Sequence, residues 1–410
     1  MPDNYQIFLG RQPILDRRQN IVAYELLFRS GQSAGANVFD DMAATAHVIT
    51  HAFTELGVSA VLGKHRGFIN VHADLLLSDM LELLPKDKVV IELLESIRVT
   101  PEIIARCKAL KAMGFTLALD DYTGLDAQFE PLIDLVEVVK LDYPLIDKND
   151  LAGVVQHLKQ WPVKLLAEKI EDRAEADLCL DLGFDLFQGY YFARPVILTA
   201  TRADPSKLAL LRLVGLVLSD AETMDIEHVF QRDPSLSYKL LRLVNSVAQG
   251  LTQKVSSLHH AIVVLGRRQL QRWLQLLMFV PNSGQTDNPL LQLAATRGKL
   301  MELLARVQAG HDKDYQDSAF IAGILSLLDT LLGMPMEAII EQINLAPDVK
   351  LALLQRQGRL GDLLKLAEKI ERSDFGAAGE LLDASGLQAN DLLQAQMAAM
   401  RWANDLSEEH

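Results

Sequence analysis

Short runs rich in β-branched, aliphatic and aromatic residues alternate with helical segments over the first 200 residues, and no other feature constrains the fold as strongly. The first two runs, at 5–16 and 20–30, flank a polar stretch at 17–19 and predict an antiparallel hairpin. The next six alternate with helical or connecting segments, which predicts parallel strands joined by crossovers. These six lie at 67–71, 89–95, 115–121, 136–142, 164–170 and 185–192.

Eight strands within about 200 residues predict an α/β fold, namely a closed (β/α)8 TIM-like barrel with an antiparallel opening hairpin. An open doubly wound sheet is the alternative. The GxGxxG loop that such a sheet uses to hold phosphates is absent after the first strand. In that alternative fold a nucleotide would need another kind of site.

The pattern changes after Arg194-Pro195, where β-rich runs give way to Leu-rich helical periodicity that continues to the C-terminus. We place the boundary near 195–206 and predict a barrel domain over 1–200 and an all-α domain over 201–410. The length of 410 residues suits two or more domains. Within the second domain, Ser257 and Gly266 mark the start and end of a predicted helix.

Composition limits the function classes. The chain has 54 acidic and 40 basic residues and a net charge of -14, which argues against a protein that coats nucleic acid or an anionic membrane. Two cysteines, Cys107 and Cys179, are too few for a disulfide framework or a thiolate zinc site and favour a reduced, cytoplasmic setting. We recognise no secretion signal. The apolar stretch at 319–334 is shorter than the ~20 residues of a membrane helix, and we interpret it as a buried helix.

Polar side chains with metal-binding oxygens recur late in the predicted strands. Because the strand C-termini of a parallel barrel share one rim, these side chains can converge there. Oxygen donors without thiolates suit Mg²⁺ or Mn²⁺ rather than zinc. Lys140 and Arg29 would add positive charge, and this mixture fits metal-assisted chemistry on a phosphoryl substrate. The oxygen donors are Glu25, Asn70, Glu92, Asp120, Asp121, Asp142 and Glu168.

Each of these residues also has a simpler interpretation when it is taken alone. A carboxylate at a strand end, such as Asp120 or Glu92, is commonly a helix N-cap or a solvated loop residue. Glu25 and Arg29 could equally form a simple ion pair. Composition and spacing by themselves therefore predict a metal-assisted site on a barrel rim and no particular substrate.

Two motifs outside the strands have simple interpretations. His311-Asp312 lies in a polar run without partner histidines at helical spacing, which favours a loop. Arg267, Arg268 and Arg272 form a basic face. In a chain this acidic, such a face indicates solvation or a protein contact rather than nucleic-acid binding.

Around the predicted oxygen donors the chain resembles the EAL domain of bacterial cyclic di-GMP signalling, over roughly 5–198. The signature Glu-Ala-Leu-x-Arg is present as ELLFR at 25–29, FINVHADLL carries the Asn of the family, and IELLES matches its E-x-T-E segment. KLD also matches. AEKIE resembles AEGVE with Lys169 in place of the glycine, and FQGYYFARP resembles the closing QGY motif.

The resemblance implies a role for each matched residue and Mg²⁺ or Mn²⁺ as the cofactor. Lys140 and Glu168 would orient or activate the attacking water. The substrate would be bound by Arg29, Asp142 and Gln188. Glu95 and Glu171 would support the site. The metal ligands would be Glu25, Asn70, Glu92, Asp120 and Asp121.

One segment departs from the family pattern. Where the family usually reads DDFGTGYSSL, this chain reads DDYTGL at 120–125, so the loop after the aspartates is shortened and recast. In the family this loop couples dimerisation to metal and substrate binding. A homodimer is therefore a further expectation.

The helical half resembles the HDOD domain, a relative of the metal-dependent HD phosphohydrolases that is regarded as an output or interaction module. The matching stretches lie at 232–250, 256–266 and 318–333. Where an HD enzyme has His-Asp, this chain has Ser326 and Leu327, so we expect no metal site there. An EAL domain followed by an HDOD domain is itself a known two-domain arrangement.

Two functions stay open from the sequence. The complete set of matched site residues favours a phosphodiesterase that linearises cyclic di-GMP to pGpG. The shortened loop favours a catalytically inactive receptor or adaptor that acts through protein–protein contacts of the helical domain. Cyclic di-GMP and an unidentified protein are the expected partners, and a barrel enzyme with an unrelated substrate is a third, weaker reading.

Overall fold

The computed structural model describes residues 7–30, 61–124, 127–189, 205–247, 255, 257–280, 289–343 and 345–408. Within these ranges, a closed eight-stranded barrel is followed by helices. The predicted barrel and the all-helical region after it are confirmed, and the open sheet is wrong. Most of the predicted boundary at 195–206 lies outside the described residues, so the domain limits stay a prediction.

The barrel strands follow one another in chain order around the closed sheet. They are β1 (Ile7–Asp16), β2 (Ile21–Ser30), β3 (Arg66–Val71), β4 (Val89–Leu93), β5 (Thr116–Leu119), β6 (Val138–Asp142), β7 (Lys164–Glu168) and β8 (Leu186–Phe187). β1 is antiparallel to both of its neighbours, β2 and β8, whereas all other neighbouring strands are parallel. The predicted opening hairpin is therefore confirmed.

Helices on the crossovers cover the outside of the barrel. They are α1 (Ala73–Leu77), α2 (Pro101–Ala112), α3 (Glu130–Ile133), α4 (Leu151–Leu158) and α5 (Arg173–Leu182). The two longest begin at side-chain caps, because Thr100 accepts a hydrogen bond from the Ile103 amide and Asp172 accepts one from the Glu175 amide. Their apolar residues bury against the outward side chains of the strands.

One apolar side chain from each strand fills the interior of the barrel. Since side chains alternate between the two faces of a strand, these residues all point inward at one level. Each is at least nine-tenths buried, and together they form a separate cluster. The cluster consists of Ile14, Ala23, Phe68, Val90, Ala118, Val138, Leu166 and Leu186. The interior of the barrel is thus filled by apolar side chains at this level.

Helices make up the described part of the chain after residue 204. They are α6 (Pro205–Leu218), α7 (Thr223–Gln231), α8 (Pro234–Val247), α9 (Leu258–Leu265), α10 (Arg267–Leu277), α11 (Pro289–Ala309), α12 (Lys313–Leu325), α13 (Leu328–Leu332), α14 (Met336–Ile340), α15 (Pro347–Gln355), α16 (Gly358–Glu371), α17 (Phe375–Ala384) and α18 (Ala389–Glu408). The predicted start of α9 is confirmed, because Ser257 accepts a hydrogen bond from the His260 amide. Among the described residues, no helix combines the length and apolarity needed to cross a membrane.

Helices α11 and α12 pack unusually closely in the centre of this region. A Cβ atom on Gly323 would lie 2.7 Å from the Cα atom of Gly298, so the two backbones touch where neither residue has a side chain. The stretch at 319–334, which we interpreted as a buried helix, forms most of α12 and all of α13. Helix α11 also packs against α18.

The helical region packs directly on β1. The Gln396 side-chain amide of α18 donates a hydrogen bond of 2.7 Å to the Leu9 carbonyl. The rings of Phe8 and Phe375 lie 5.9 Å apart, and Phe8 belongs to the core of the helical region. Met400 of α18 in turn joins the outer core of the barrel. The first strand therefore holds the two parts of the structure together.

Candidate active site at the barrel rim

A ring of polar side chains lies directly above the apolar interior of the barrel. Each member is two residues further toward the rim than an interior apolar residue, so the strand period of two places all of them inward. On β1, which runs in the opposite direction, the corresponding residue precedes Ile14 instead of following it. The polar ring consists of Gln12, Glu25, Asn70, Glu92, Asp120, Lys140, Glu168 and Gln188. Seven of these eight residues were predicted as site residues from the sequence.

Lys140 lies at the centre of the polar ring and is only 1% exposed. Its Nζ atom is 2.8 Å from Glu168 Oε1, 3.0 Å from Asp120 Oδ1 and 3.5 Å from Glu25 Oε1. It also contacts Glu92, which is fully buried. One ammonium group thus faces four carboxylates, and this arrangement leaves an excess of negative charge in the ring.

Burial and mutual repulsion shift the pKa values of these groups. Burial raises the pKa of Glu92 well above its ordinary value, although Lys140 opposes the shift. Burial likewise raises the pKa of Glu168 to about 8, again against the attraction of Lys140. Burial disfavours the charged form of Lys140, but the attraction of the four carboxylates outweighs it and raises the pKa of the lysine. Lys140 therefore keeps its charge, while Glu168 holds a proton at neutral pH when no cation is bound.

Several buried oxygen atoms of this site accept no hydrogen bond from the part of the chain that the structure describes. Carboxylate and amide oxygens that are buried without such a partner carry a desolvation cost, which a divalent cation can remove by coordinating them. They are Asn70 Oδ1, Glu92 Oε2, Asp142 Oδ1 and Glu168 Oε2. The donor chemistry of the ring therefore fits a hard divalent metal ion.

A second group of oxygens lies at the edge of the ring. Glu95, Asp120 and Asp121 each offer a carboxylate oxygen within 4.8 Å of the others. Asp121 has a φ angle of 43°, a left-handed conformation that is uncommon outside glycine and is tolerated best by Asp and Asn. Burial, followed by repulsion from Asp120, raises the pKa of Asp121 to about 6. The structure thus groups Asp121 with Glu95, and Asp120 connects this group to the Lys140 cluster.

Lys169 is a feature of the rim to which we assigned no role from the sequence. Its φ angle of 55° lies in the left-handed region that favours glycine, the residue that the EAL pattern has at this position. The Nζ atom donates to Asp142 and lies 3.8 Å from Asp121. Lys169 therefore neutralises part of the rim charge, and it occupies one oxygen of a predicted substrate-binding residue.

The Gln188 side chain links two strands of the ring. Its amide nitrogen donates to Glu25 Oε2 and, at 2.9 Å, to Gln12 Oε1. The amide of Asn70 donates to the other oxygen of Glu25 at 3.2 Å. Gln12, which the sequence reasoning missed, could have been found by continuing the alternation back along β1 from Ile14.

Other predicted residues have less structural support. Glu171 is exposed, and its backbone amide donates to Glu175. Arg29 pairs with Phe8 in the β1–β2 ladder, but its side chain lies outside the described part of the chain. Of the shortened loop, residues 125 and 126 are likewise not described, whereas the Tyr122 amide donates to the Lys140 carbonyl at 2.9 Å. The loop thus begins with a backbone contact to the strand that carries the central lysine.

The residues singled out in the helical region make hydrogen bonds and ion pairs within that region. Ser326 is buried, and its hydroxyl accepts a hydrogen bond of 2.6 Å from Arg297. Arg272 pairs with Glu302, and together with Arg268 it contacts Asp317, so part of the predicted basic face makes ion pairs within the protein. The loop predicted for His311-Asp312 is confirmed, because these two residues immediately precede α12.

The raised pKa of Glu168 predicts how the stability of the metal-free protein depends on pH. The unfolded chain loses this proton near the ordinary pKa of 4.5, whereas the folded chain keeps it up to about 8. The Glu168 contribution to stability is therefore complete below pH 4.5 and is lost as the pH rises toward 8. The slope in this window is at most about 1.4 kcal/mol per pH unit. We expect thermal unfolding in EDTA to show this loss, and Glu168→Gln to remove it. Equal slopes for both proteins would contradict the prediction.

The chain is similar to known proteins over part of its length or over almost its whole length. Klebsiella pneumoniae BlrP1, solved as a manganese and cyclic di-GMP complex, is similar over 46% of this chain and 56% of that chain, with 26% identity and a TM-score of 0.38. Family models match an EAL domain over 3–195 and an HDOD domain over 209–343. The chain is 30% identical to Bacillus subtilis YuxH, covering 98% of this chain and 99% of that protein. It is 32% identical to the cyclic di-GMP phosphodiesterase CdgJ of Vibrio cholerae, covering 98% and 94%. The chain therefore belongs to the family of proteins in which an EAL domain is followed by an HDOD domain.

Proposed function

We propose that this protein is a divalent-metal-dependent phosphodiesterase that hydrolyses cyclic di-GMP to linear pGpG. The observation that carries the proposal is the ring of four carboxylates around Lys140 at the parallel-strand ends, with buried oxygens that fit a metal ion. The family of the chain and the activity named for its relative CdgJ support the same substrate. Mg²⁺ and Mn²⁺ are the proposed metals, since the donors are oxygens.

The residues of the ring divide the chemistry among them. Metal ions would be held by Glu25, Asn70, Glu92, Asp120 and Asp121. When bound, they would lower the pKa of water and neutralise the phosphate. With metal bound, the Glu168 carboxylate would accept a proton from the attacking water, and Lys140 would hold Glu168 in position through their ion pair. Arg29, Asp142 and Gln188 would bind the dinucleotide. Water adds to phosphorus as one ribose oxygen leaves with a proton, and this step opens the ring of the substrate.

Turnover by the purified full chain tests this proposal. We expect cyclic di-GMP to be converted to pGpG with Mg²⁺ or Mn²⁺, and not in EDTA. Glu25→Gln should reduce turnover about 100-fold or more, because it weakens a metal ligand at the centre of the ring. Glu137→Gln, at an exposed glutamate just before β6, is the matched control and should leave turnover unchanged. Binding without turnover in either metal would make the protein a receptor, and the absence of both would refute the proposal.

The helical domain completes the proposed function as the output module. We propose that it contacts a protein partner and that the chain forms a homodimer. A cytoplasmic location also belongs to the proposal, since Cys107 and Cys179 are both free thiols buried in the barrel domain.

A further inference from the structure

A large cavity connects the polar ring of the barrel with the helical domain. Its volume is about 980 Å³, the upper end of the range of ligand pockets. On the barrel side it is lined by Glu25, Asp120, Lys140, Glu168 and Gln188. On the other side it is lined by residues of α11, α16 and α18 and by Arg372, which follows α16 directly. We call this second side the helical wall.

The helical wall is held in place by specific contacts with β1. Gln12 of the polar ring donates a hydrogen bond of 3.1 Å to the Ser373 hydroxyl, next to Arg372. Gln396 of α18, which is 2% exposed, lines the cavity and donates to the Leu9 carbonyl. Its Oε1 atom accepts no hydrogen bond from the described residues. The wall is therefore anchored to the strand that contributes Gln12 to the ring.

The wall differs from the rim in its chemistry. The rim carries an excess of carboxylates around Lys140, whereas on the wall the guanidinium groups of Arg297 and Arg372 balance the carboxylates of Glu368 and Glu371. Arg297 is 3% exposed and is oriented by Glu371 and Ser326. Three of its five N–H groups are used in these contacts. Leu293 and Thr296 of α11 also line the cavity, and they add an apolar side chain and a hydroxyl group to the wall.

We propose that the helical wall is the second half of the dinucleotide-binding site, an inference that rests on the proposed function. A cyclic dinucleotide carries two phosphates and two guanines, but metals at the rim act on one phosphate at a time. The other half of the ligand lies against the wall. There Arg372 and Arg297 face its phosphate or the guanine O6 and N7 acceptors, and Leu293 packs against a base. Ligand binding therefore stabilises the contact between the two domains.

Two substitutions on the wall test this inference in the full-length protein. Arg372→Gln removes an exposed cation and should weaken cyclic di-GMP binding about fivefold to tenfold. Leu293→Trp fills the cavity from the helical side and should weaken it more than about tenfold. The measurement is the dissociation constant of cyclic di-GMP in EDTA, where no turnover occurs. Arg306→Gln, at an exposed arginine of α11 outside the cavity, is the matched control and should bind normally.

A second readout separates this role from a general structural effect. With metal present, the two wall variants should lose kcat/KM for cyclic di-GMP at least fivefold more than for bis(p-nitrophenyl) phosphate, a diester too small to span the cavity. Circular dichroism melting shows whether each variant folds, and one folded variant is enough to test the inference. Wild-type affinity in both wall variants would overturn the inference and leave the phosphodiesterase proposal intact. A wild-type protein that binds no cyclic di-GMP would overturn both.

Discussion

Replacing Lys140 with methionine should lower turnover of cyclic di-GMP by about 10² to 10⁴-fold. The methionine keeps most of the length of the side chain but removes the positive charge that, among the described residues, pairs with Glu25, Glu92, Asp120 and Glu168 together. The carboxylates then repel one another and lose the geometry in which they hold metal and orient water. Steady-state kinetics with Mn²⁺ and cyclic di-GMP measure the loss.

The same substitution should have a distinct effect on stability. Removing one partner of a buried ion pair costs about 3 to 5 kcal/mol, and the remaining carboxyl groups offset part of this cost by taking up protons. A divalent metal should offset more of it, so Mn²⁺ should raise the melting temperature of Lys140→Met more than that of the wild type. Lys164→Met, at an exposed position on β7, is the matched control. Near-normal turnover by Lys140→Met would contradict the central role of this lysine.

Replacing Gly189 with alanine should destabilise the barrel by about 3 kcal/mol or more. Its φ angle of 148° is one that residues with a side chain rarely adopt. In addition, a Cβ atom here would overlap the backbone nitrogen and oxygen of Ile170 on the neighbouring segment. Gln188 directly precedes Gly189 and donates a hydrogen bond to Glu25, so the strain should displace its side chain. We therefore expect kcat/KM to fall more than about tenfold as well.

A second glycine separates the effect of the φ angle from the effect of the contact with Ile170. Gly266 also has a positive φ angle, 75°, but a Cβ atom there would meet nothing within 4 Å. Gly266→Ala should therefore carry only the backbone strain, about 1 to 3 kcal/mol, and leave the barrel site unchanged. Urea unfolding followed by circular dichroism measures both variants. Equal costs for the two substitutions would mean that the contact with Ile170 does not matter.

The order of elements and the ring residues could be predicted because they depend on local periodicity. Alternation with a period of two identifies the inward side of each strand, and the parallel arrangement brings the strand ends to one rim. Glu25 and Glu168 could be grouped in this way although they lie 143 positions apart in the chain. Gln12 was missed because β1 runs in the opposite direction, so its ring residue precedes the apolar one.

The contact pattern within the ring could not be predicted from spacing. Lys140 was expected to position water, yet the structure shows it paired with four carboxylates at once, which depends on the radius and closure of the barrel. Lys169 could be recognised only as a departure from the family pattern. Its pairing with Asp142 depends on a left-handed backbone conformation that the residue type does not favour.

The fold class, the change to helical segments and most of the oxygen donors could be predicted from the chain, because each follows from short-range patterns and residue chemistry. The anchoring of the helical domain over the rim by β1, and the cavity between them, appear only when the chain is folded. Contacts such as that between Gln396 and Leu9 join residues that are 387 positions apart. No local pattern records such a pairing, because it depends on how two separately folded surfaces fit together.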